Sequence, residues 1–165
     1  MSTSDVGLTE SRNSVGTGFA GAGAETVTEG IRKTVLVDFA PAEALELFTA
    51  KINSWWPVRT HSYGGDEVKS VVFERSVGGR VYEVTEAGEQ DWARVRKWDP
   101  PNGFVLDWLI GECETEVAVT FSPEGEGSRV VLEHRGFASA TPRDNYDSGW
   151  DVVLAPFVES ASKQA

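Results

Sequence analysis

Residues 117–137 read VAVTFSPEGEGSRVVLEHRGF, and residues 144–157 read DNYDSGWDVVLAPF. In the first stretch, two apolar, β-branched runs flank PEGEG, a pattern that is typical of an antiparallel hairpin. In the second stretch, the large apolar residues from Tyr146 to Phe157 fall at i, i+4, i+7, i+8 and i+11, which is one face of a helix. A hairpin followed by an amphipathic helix predicts a helix that packs across one face of an antiparallel sheet.

This helix is predicted to run from Arg143 to about Lys163. Pro156 conflicts with a regular helix, because proline has no backbone N–H and its ring crowds the carbonyl four residues earlier. We therefore expect a bend or a break between Val152 and Pro156.

The chain before the hairpin contains further strand patterns and one short helical pattern. IRKTVLVDF, which begins at Ile31, is predicted to be a strand, and PAEALELFTAKI, which begins at Pro41, is predicted to be a short helix. EVKSVVFE, GGRVYEVTE, DWARVRKWD and FVLDWLI are predicted strands. A strand, short helices, about six strands and one long helix together predict an α+β fold, with a cavity between the sheet and the long helix.

Composition limits the domain organisation and the classes of partner. Residues 1–29 are rich in Gly, Ser, Thr and Ala without periodicity, so we expect a disordered tail, followed by a single domain over residues 30–165. The net charge of −11 disfavours nucleic acid and anionic membranes as partners. No apolar run is long enough to span a bilayer and no signal peptide pattern is present, so we expect a cytoplasmic protein.

The sequence does not predict a metal or a cofactor. The single cysteine, Cys113, and the two histidines, His61 and His134, match no metal-ligand spacing. No phosphate-binding loop, dinucleotide fingerprint or nucleophile elbow occurs. We therefore expect that no metal and no cofactor is bound.

Residues 53–58, NSWWPV, place two of the six tryptophans side by side. Because adjacent side chains rarely point the same way, we expect one indole in the core and the other at the mouth of the cavity. The alternative is that both rings plug one end of the core. In the loop that follows, Arg59, His61 and Tyr63 form either an ordinary surface or a polar rim at the cavity entrance.

Two predicted strands carry polar residues, and the role of these residues depends on the face of the sheet on which they lie. Strict alternation places Trp92, Arg94, Arg96 and Trp98 on one face, which we interpret as an exposed convex face with the arginines stacked on aromatic rings. The alternative is an anion-binding stripe in the cavity. His134 shares a face with apolar residues of its strand, and it is either a hydrogen-bonded core residue or a buried titratable group of the site.

The order and spacing of several segments resemble those of a known family. The segments are the first strand with APAEALELFTA, then SWW, VGGRVYEV, VRKWDPPNGFVLDW, and the two stretches quoted at the start. From about Ile31 to about Ser160 the chain resembles the SRPBCC (START-like, helix-grip) superfamily and, within it, the family of heat-shock-protein-90 ATPase activator homologues. The resemblance implies a helix-grip fold, in which a curved antiparallel sheet of about six to seven strands wraps around a long C-terminal helix, with two short helices after the first strand.

The resemblance implies a ligand cavity and does not by itself define a reaction. Our main interpretation is a binding protein, rather than an enzyme, that holds a small hydrophobic or aromatic molecule between the sheet and the C-terminal helix. The predicted ligand-binding residues are Trp55, Trp56, Tyr63, His134, Tyr146, Trp150 and Phe157. One alternative is a cyclase- or aromatase-type enzyme with His134 or His61 as the acid or base. The other is a protein-interaction module with a co-chaperone-like or regulatory partner. We expect a monomer or a weak dimer.

Overall fold

The computed structural model describes residues 29–111 and 113–162. The predicted disordered tail lies outside the described residues except for Glu29. Strands and helices follow in the order β1 (Ile31–Val37), α1 (Pro41–Thr49), a 3-10 turn (Ile52–Ser54), a second 3-10 turn (Gly65–Glu67), β2 (Ser70–Phe73), β3 (Arg80–Thr85), β4 (Gly88–Asp99), β5 (Gly103–Trp108), β6 (Thr115–Glu124), β7 (Gly127–Arg135) and α2 (Ala140–Ser160).

The strands form one curled, antiparallel sheet of seven strands in the order β1-β7-β6-β5-β4-β3-β2. The first strand pairs with the last one, so that Ile31 lies opposite His134 and Val37 lies opposite Ser128. The remaining strands are neighbours in sequence, as short hairpin connections require. The predicted α+β, helix-grip fold is therefore confirmed, including the number of strands and the short helices after β1. Among the described residues, no helix is long and apolar enough to cross a membrane.

Phe48 of α1 is the centre of the aromatic core. Its ring centroid lies 5.0 Å from that of Trp55, 5.0 Å from Phe157, 5.7 Å from Phe104 and 6.1 Å from Phe121. These four rings belong to the 3-10 turn region, α2, β5 and β6. One side chain thus packs α1 against both the sheet and the long helix.

Helix α2 begins three residues earlier than the sequence predicts and continues through Pro156 without the expected break. Its buried side chains are Trp150, Val153, Leu154 and Phe157. Buried contacts therefore lie on both sides of the proline, and they hold the helix together where one backbone hydrogen bond is lost. Val152, whose carbonyl loses that bond, is 50% exposed, so water is available to replace it.

Strand β4 contradicts the prediction that four alternate residues share one exposed face. The strand carries an unpaired extra residue at Trp92, opposite β3, and another at Arg96, opposite β5. Each bulge shifts the alternation by one residue. Trp92 is consequently buried, and Trp98 packs partly buried against the core, whereas Arg94 and Arg96 are exposed.

The exposed arginine of the second bulge pairs with acidic residues of neighbouring strands. Arg96 forms ion pairs with Asp107 on β5 and with Glu116 on β6. Glu116 also forms an ion pair of 3.1 Å with Arg135 of β7. The anion-binding stripe in the cavity, considered above as an alternative, is therefore wrong, because these arginines lie on the outer face of the sheet.

His134 connects the sheet to α2 inside the core. It is fully buried, and its Nδ1 accepts a hydrogen bond of 3.0 Å from the indole N–H of Trp150. Its Nε2 therefore carries the hydrogen and donates to Thr115 Oγ1 at 2.7 Å. Burial lowers the pKa of His134 from 6.5 to about 3, so the imidazole is neutral in the folded protein at neutral pH.

We expect Trp150→Ala to lower the free energy of unfolding by about 3–5 kcal/mol. The substitution removes a nearly completely buried ring and leaves Nδ1 of His134 without a donor. Urea denaturation of the two proteins measures the difference. A loss below about 1 kcal/mol would mean that α2 does not pack on the sheet as described.

Stability should fall with acidification between pH 6.5 and about pH 5 because of His134. In this window the unfolded chain binds a proton on this histidine and the folded protein does not, so the free energy of unfolding decreases by up to about 1.4 kcal/mol per pH unit. Urea titrations at several pH values should show a clearly smaller slope for His134→Gln than for the wild-type protein. Equal slopes for the two proteins would contradict the assignment.

Candidate functional site

One cavity of about 400 Å³ opens beside α2, between this helix, the loop after the tryptophan doublet and the strands β4 and β5. Its lining consists of Trp56, Thr60, His61, Ser62, Tyr63, Trp92, Trp108, Ile110, Asn145, Tyr146, Gly149, Trp150 and Val153. Within residues 29–111 and 113–162, no Asp, Glu, Lys or Arg belongs to this lining.

Four tryptophans form a continuous aromatic wall of the cavity. The ring centroid of Trp56 lies 4.9 Å from that of Trp92 and 5.9 Å from that of Trp150. Trp108 continues the wall, with its centroid 5.7 Å from Trp150. The rings come from the 3-10 region, β4, β5 and α2, so the wall exists only in the folded chain.

The N–H groups of these four indoles are all hydrogen-bonded within the protein. Their acceptors are the carbonyl of His61 for Trp56 at 2.7 Å, Glu83 Oε1 for Trp92 at 2.7 Å, the Tyr146 hydroxyl for Trp108 at 3.0 Å, and His134 Nδ1 for Trp150 at 3.0 Å. The wall therefore offers a ligand no unpaired indole donor.

Polar groups are concentrated at the mouth of the cavity. The loop supplies Thr60, His61, Ser62 and Tyr63, and α2 supplies Asn145 and the hydroxyl of Tyr146. A Cβ atom placed on Gly149 would lie 3.7 Å from Nε2 of His61, so the imidazole sits directly across from a helical position without a side chain. A glycine at this position leaves the mouth open.

Burial raises the pKa of the Tyr146 phenol. Burial, together with the charge of Glu83, also raises the pKa of Tyr63. Both hydroxyls therefore remain protonated at neutral pH, and that of Tyr146 donates to the carbonyl of Ile110 at 3.4 Å. The Tyr63 side chain is 56% exposed, which places it at the outer rim.

The residues that the sequence predicts for the site fall into two groups in the structure, those that line the cavity and those that do not. Trp56, Tyr63, Tyr146 and Trp150 line the cavity, together with His61. Trp55, His134 and Phe157 are buried and are not part of its lining.

Beside the cavity the interior is filled. Trp55 donates its N–H to the carbonyl of Leu47 at 2.8 Å and packs its ring against Phe157, with the centroids 5.2 Å apart. A void of only about 10 Å³ remains between α1, α2 and the sheet, smaller than one water molecule needs. In the described space between α2 and the sheet, room for a ligand of appreciable size therefore lies at the open end, beside Trp56.

Sequence reasoning missed four residues that shape the site: Trp92, Trp108, Glu83 and Gly149. The bulge in β4 makes the inward orientation of Trp92 unpredictable from alternation. Trp108 has the pattern of an ordinary core residue of its strand. Glu83 is 1% exposed, although nothing in RVYEVT shows which way it points. A glycine in the middle of an amphipathic helix pattern was the one available signal, because glycine weakens a helix unless its lack of a side chain is needed.

Comparison with solved structures places the fold among known proteins. The Aha1 dimer from Colwellia psychrerythraea superposes with a TM-score of 0.64 at 14% identity, covering 81% of this chain and 96% of the other. CalC from Micromonospora echinospora, described as a self-sacrificing resistance protein, gives a TM-score of 0.64 at 27% identity, covering 80% and 93%. Txn09, described as an anthrahydroquino-γ-pyrone synthase, gives a TM-score of 0.54 at 26% identity, covering 81% and 97%.

No curated protein sequence matches the chain significantly. The family model described as activator of Hsp90 ATPase homolog 1-like protein matches residues 42–161, which is most of the described structure. The matched range includes α1, the tryptophan doublet, six of the seven strands and α2. With the helix-grip architecture and the structural neighbours, this match shows that the chain belongs to the activator of Hsp90 ATPase homolog 1-like family of the SRPBCC superfamily.

Proposed function

We propose that the protein binds a small, uncharged aromatic molecule in the cavity beside α2. The observation that carries the proposal is the wall of four indoles around a space of about 400 Å³. This volume lies within the range of about 300–1,000 Å³ that is usual for small-molecule sites. Flat aromatic ligands gain the most from such a wall, because they can stack on or pack edge-on against the rings.

The lining supports an uncharged ligand. Among the described residues, no acidic side chain and no Lys or Arg lines the cavity. A charged group on the ligand would lose its water without gaining an ionic partner, which is strongly unfavourable. Hydroxyl or carbonyl groups of the ligand can still bond at the mouth, where His61, Tyr63 and Asn145 lie.

Two matched probes test the proposal: 2-naphthol, an uncharged fused aromatic with one hydroxyl group, and 2-naphthoate, its anionic counterpart. We expect 2-naphthol to quench tryptophan fluorescence and to shift amide resonances of residues 60–63 and 145–153. We expect 2-naphthoate to bind at least about tenfold more weakly, because its carboxylate has no cation in the lining. If neither probe shifts these resonances at saturating concentration, the binding proposal is wrong, and a protein-interaction module becomes the better interpretation.

Gly149→Leu should close the mouth without damaging the fold. Its side chain extends toward His61 across a gap in which a Cβ alone already approaches Nε2 to 3.7 Å. Leucine is also a better helix former than glycine by about 1 kcal/mol, so the melting temperature should not fall. The control is Ala155→Leu, which adds the same side chain at an exposed position of α2. Loss of 2-naphthol binding in the first variant only is the expected result, and equal binding by both variants would place the ligand elsewhere.

A cyclase-type enzyme is the second candidate, and the 26% identity to Txn09 favours it. His61 is the histidine that lines the cavity, and its Nδ1 lies 2.7 Å from Thr60 Oγ1. When Nδ1 donates to that hydroxyl, the lone pair of Nε2 is free and can take a proton from a substrate. His134 lies behind Trp150 and is outside the lining, so it is the weaker candidate for the acid or base.

The test substrate is 1-(2-hydroxyphenyl)butane-1,3-dione, which forms a γ-pyrone ring when its phenol oxygen attacks the distal ketone and water is lost. In this candidate reaction His61 accepts the phenol proton and delivers it to the ketone oxygen, which becomes a hemiketal hydroxyl. His61 then takes a proton from the adjacent methylene carbon and delivers it to this hydroxyl, which departs as water while the ring double bond forms. Wild-type protein should accelerate chromone formation, followed by ultraviolet absorbance, and His61→Gln should abolish the acceleration while still binding 2-naphthol. No acceleration by the wild-type protein would remove the support for this reaction.

A further inference from the structure

We infer that Glu83 is the positioning residue of the site: its buried carboxylate holds both the loop at the mouth and the indole of Trp92 in the wall. The inference rests on the proposed function for its consequence on binding, but the contacts themselves belong to the free protein. Glu83 lies on β3 and is 1% exposed.

Three N–H groups converge on this carboxylate. Oε1 accepts the indole N–H of Trp92 at 2.7 Å and the backbone N–H of Tyr63 at 2.8 Å, and Oε2 accepts the backbone N–H of Gly64 at 2.7 Å. Within the described residues Glu83 has no ion-pair partner. Consecutive backbone N–H groups form an anion-binding concavity, and here the bound anion is a side chain of the same chain.

These bonds are the loop's connection to the sheet. Within the described part of the chain, residues 57–68 form hydrogen bonds to two residues outside this segment, Trp56 and Glu83. The other bonds are local, such as Ser62 Oγ accepting from the N–H of Gly65 at 2.9 Å. The hydrogen bonds that tie this loop to β3 therefore run through one carboxylate, and the packing of Val58 and Val68 against the core adds to them.

Gly64 lies in a narrow space between the loop and the carboxylate of Glu83. A Cβ atom on it would lie 2.9 Å from Thr85 Cγ2 and 3.1 Å from Glu83 Oε2. A contact below 3.0 Å requires either the Thr85 side chain or the loop to shift, and a shift of the loop would lengthen its bonds to the carboxylate. Glycine at this position thus allows the two N–H donors of Tyr63 and Gly64 to approach Glu83 closely.

The shared oxygen couples the mouth to the wall. Oε1 receives both Trp92 from inside the cavity and Tyr63 from the rim. The wall and the rim are therefore positioned by the same side chain. Glu83 acts on the ligand only through these two groups, since it is not part of the lining.

Amide hydrogen exchange of the full chain without ligand tests the inference. In Glu83→Gln, the amide group of glutamine turns a donor toward groups that are themselves donors. We expect exchange at least about tenfold faster at the amides of Tyr63 and Gly64 and at the indole N–H of Trp92, with amides of β6 and β7 unchanged. The dissociation constant for 2-naphthol should rise at least about fivefold. The control is Glu133→Gln, which removes a carboxylate that pairs with Arg32 on the outer face and should change none of these values.

Gly64→Ala is the second variant and keeps the inference testable if Glu83→Gln does not fold or exchanges faster throughout. It should release the Tyr63 amide while the Trp92 indole N–H stays protected, because the bond from Trp92 is not displaced. Unchanged loop exchange in either folded variant overturns the inference. If wild-type protein binds no probe but loop exchange responds as expected, the proposed function fails and the positioning role of Glu83 stands.

Discussion

An indole ring that is buried must find an acceptor for its N–H, because an unpaired buried donor costs about 1–3 kcal/mol. In this protein that constraint shapes the site. The acceptors for the four indoles of the cavity wall lie in the loop, on β3, on α2 and on β7, so each ring is oriented by a different part of the fold. Because every indole N–H of the wall already has an acceptor, none is left for a ligand. Two of these bonds, Trp108 to Tyr146 and Trp150 to His134, join α2 to the sheet.

The two ends of the space between α2 and the sheet differ in how they are filled. At one end Phe48, Trp55 and Phe157 pack their rings together and leave almost no void. At the other end Gly149 contributes no side chain, and the cavity remains. The adjacent tryptophans stand at the boundary: Trp55 belongs to the filled end and Trp56 to the open end. The fold thus separates the packing that stabilises the helix from the surface that is available for binding.

The sequence predicts the architecture well because hydrophobic periodicity and turn residues are local signals. The hairpin at PEGEG, the helix that carries Trp150 and the division of the tryptophan doublet all follow from spacing within one element. The site is harder to predict, because its members are brought together by register. Glu83 illustrates this: in RVYEVT either alternate set could face the core, and only the pairing with β4 and the loop decides which one does. Pro156 shows the opposite error, since a strong local signal is outweighed by tertiary contacts on both sides.

The two bulges of β4 have a consequence for how this strand can change in length. Trp92 and Trp98 both face the inner side of the sheet. Ala93 and Val95 are buried as well, although strict alternation would place them on the other face. Each extra residue inverts the alternation, and the second inversion cancels the first. At each bulge the extra residue is the one without a partner, so loss of one residue there would leave the flanking residues with the same partners and on the same faces. Strand β4 can therefore shorten by one residue at either bulge without turning its charged side chains inward.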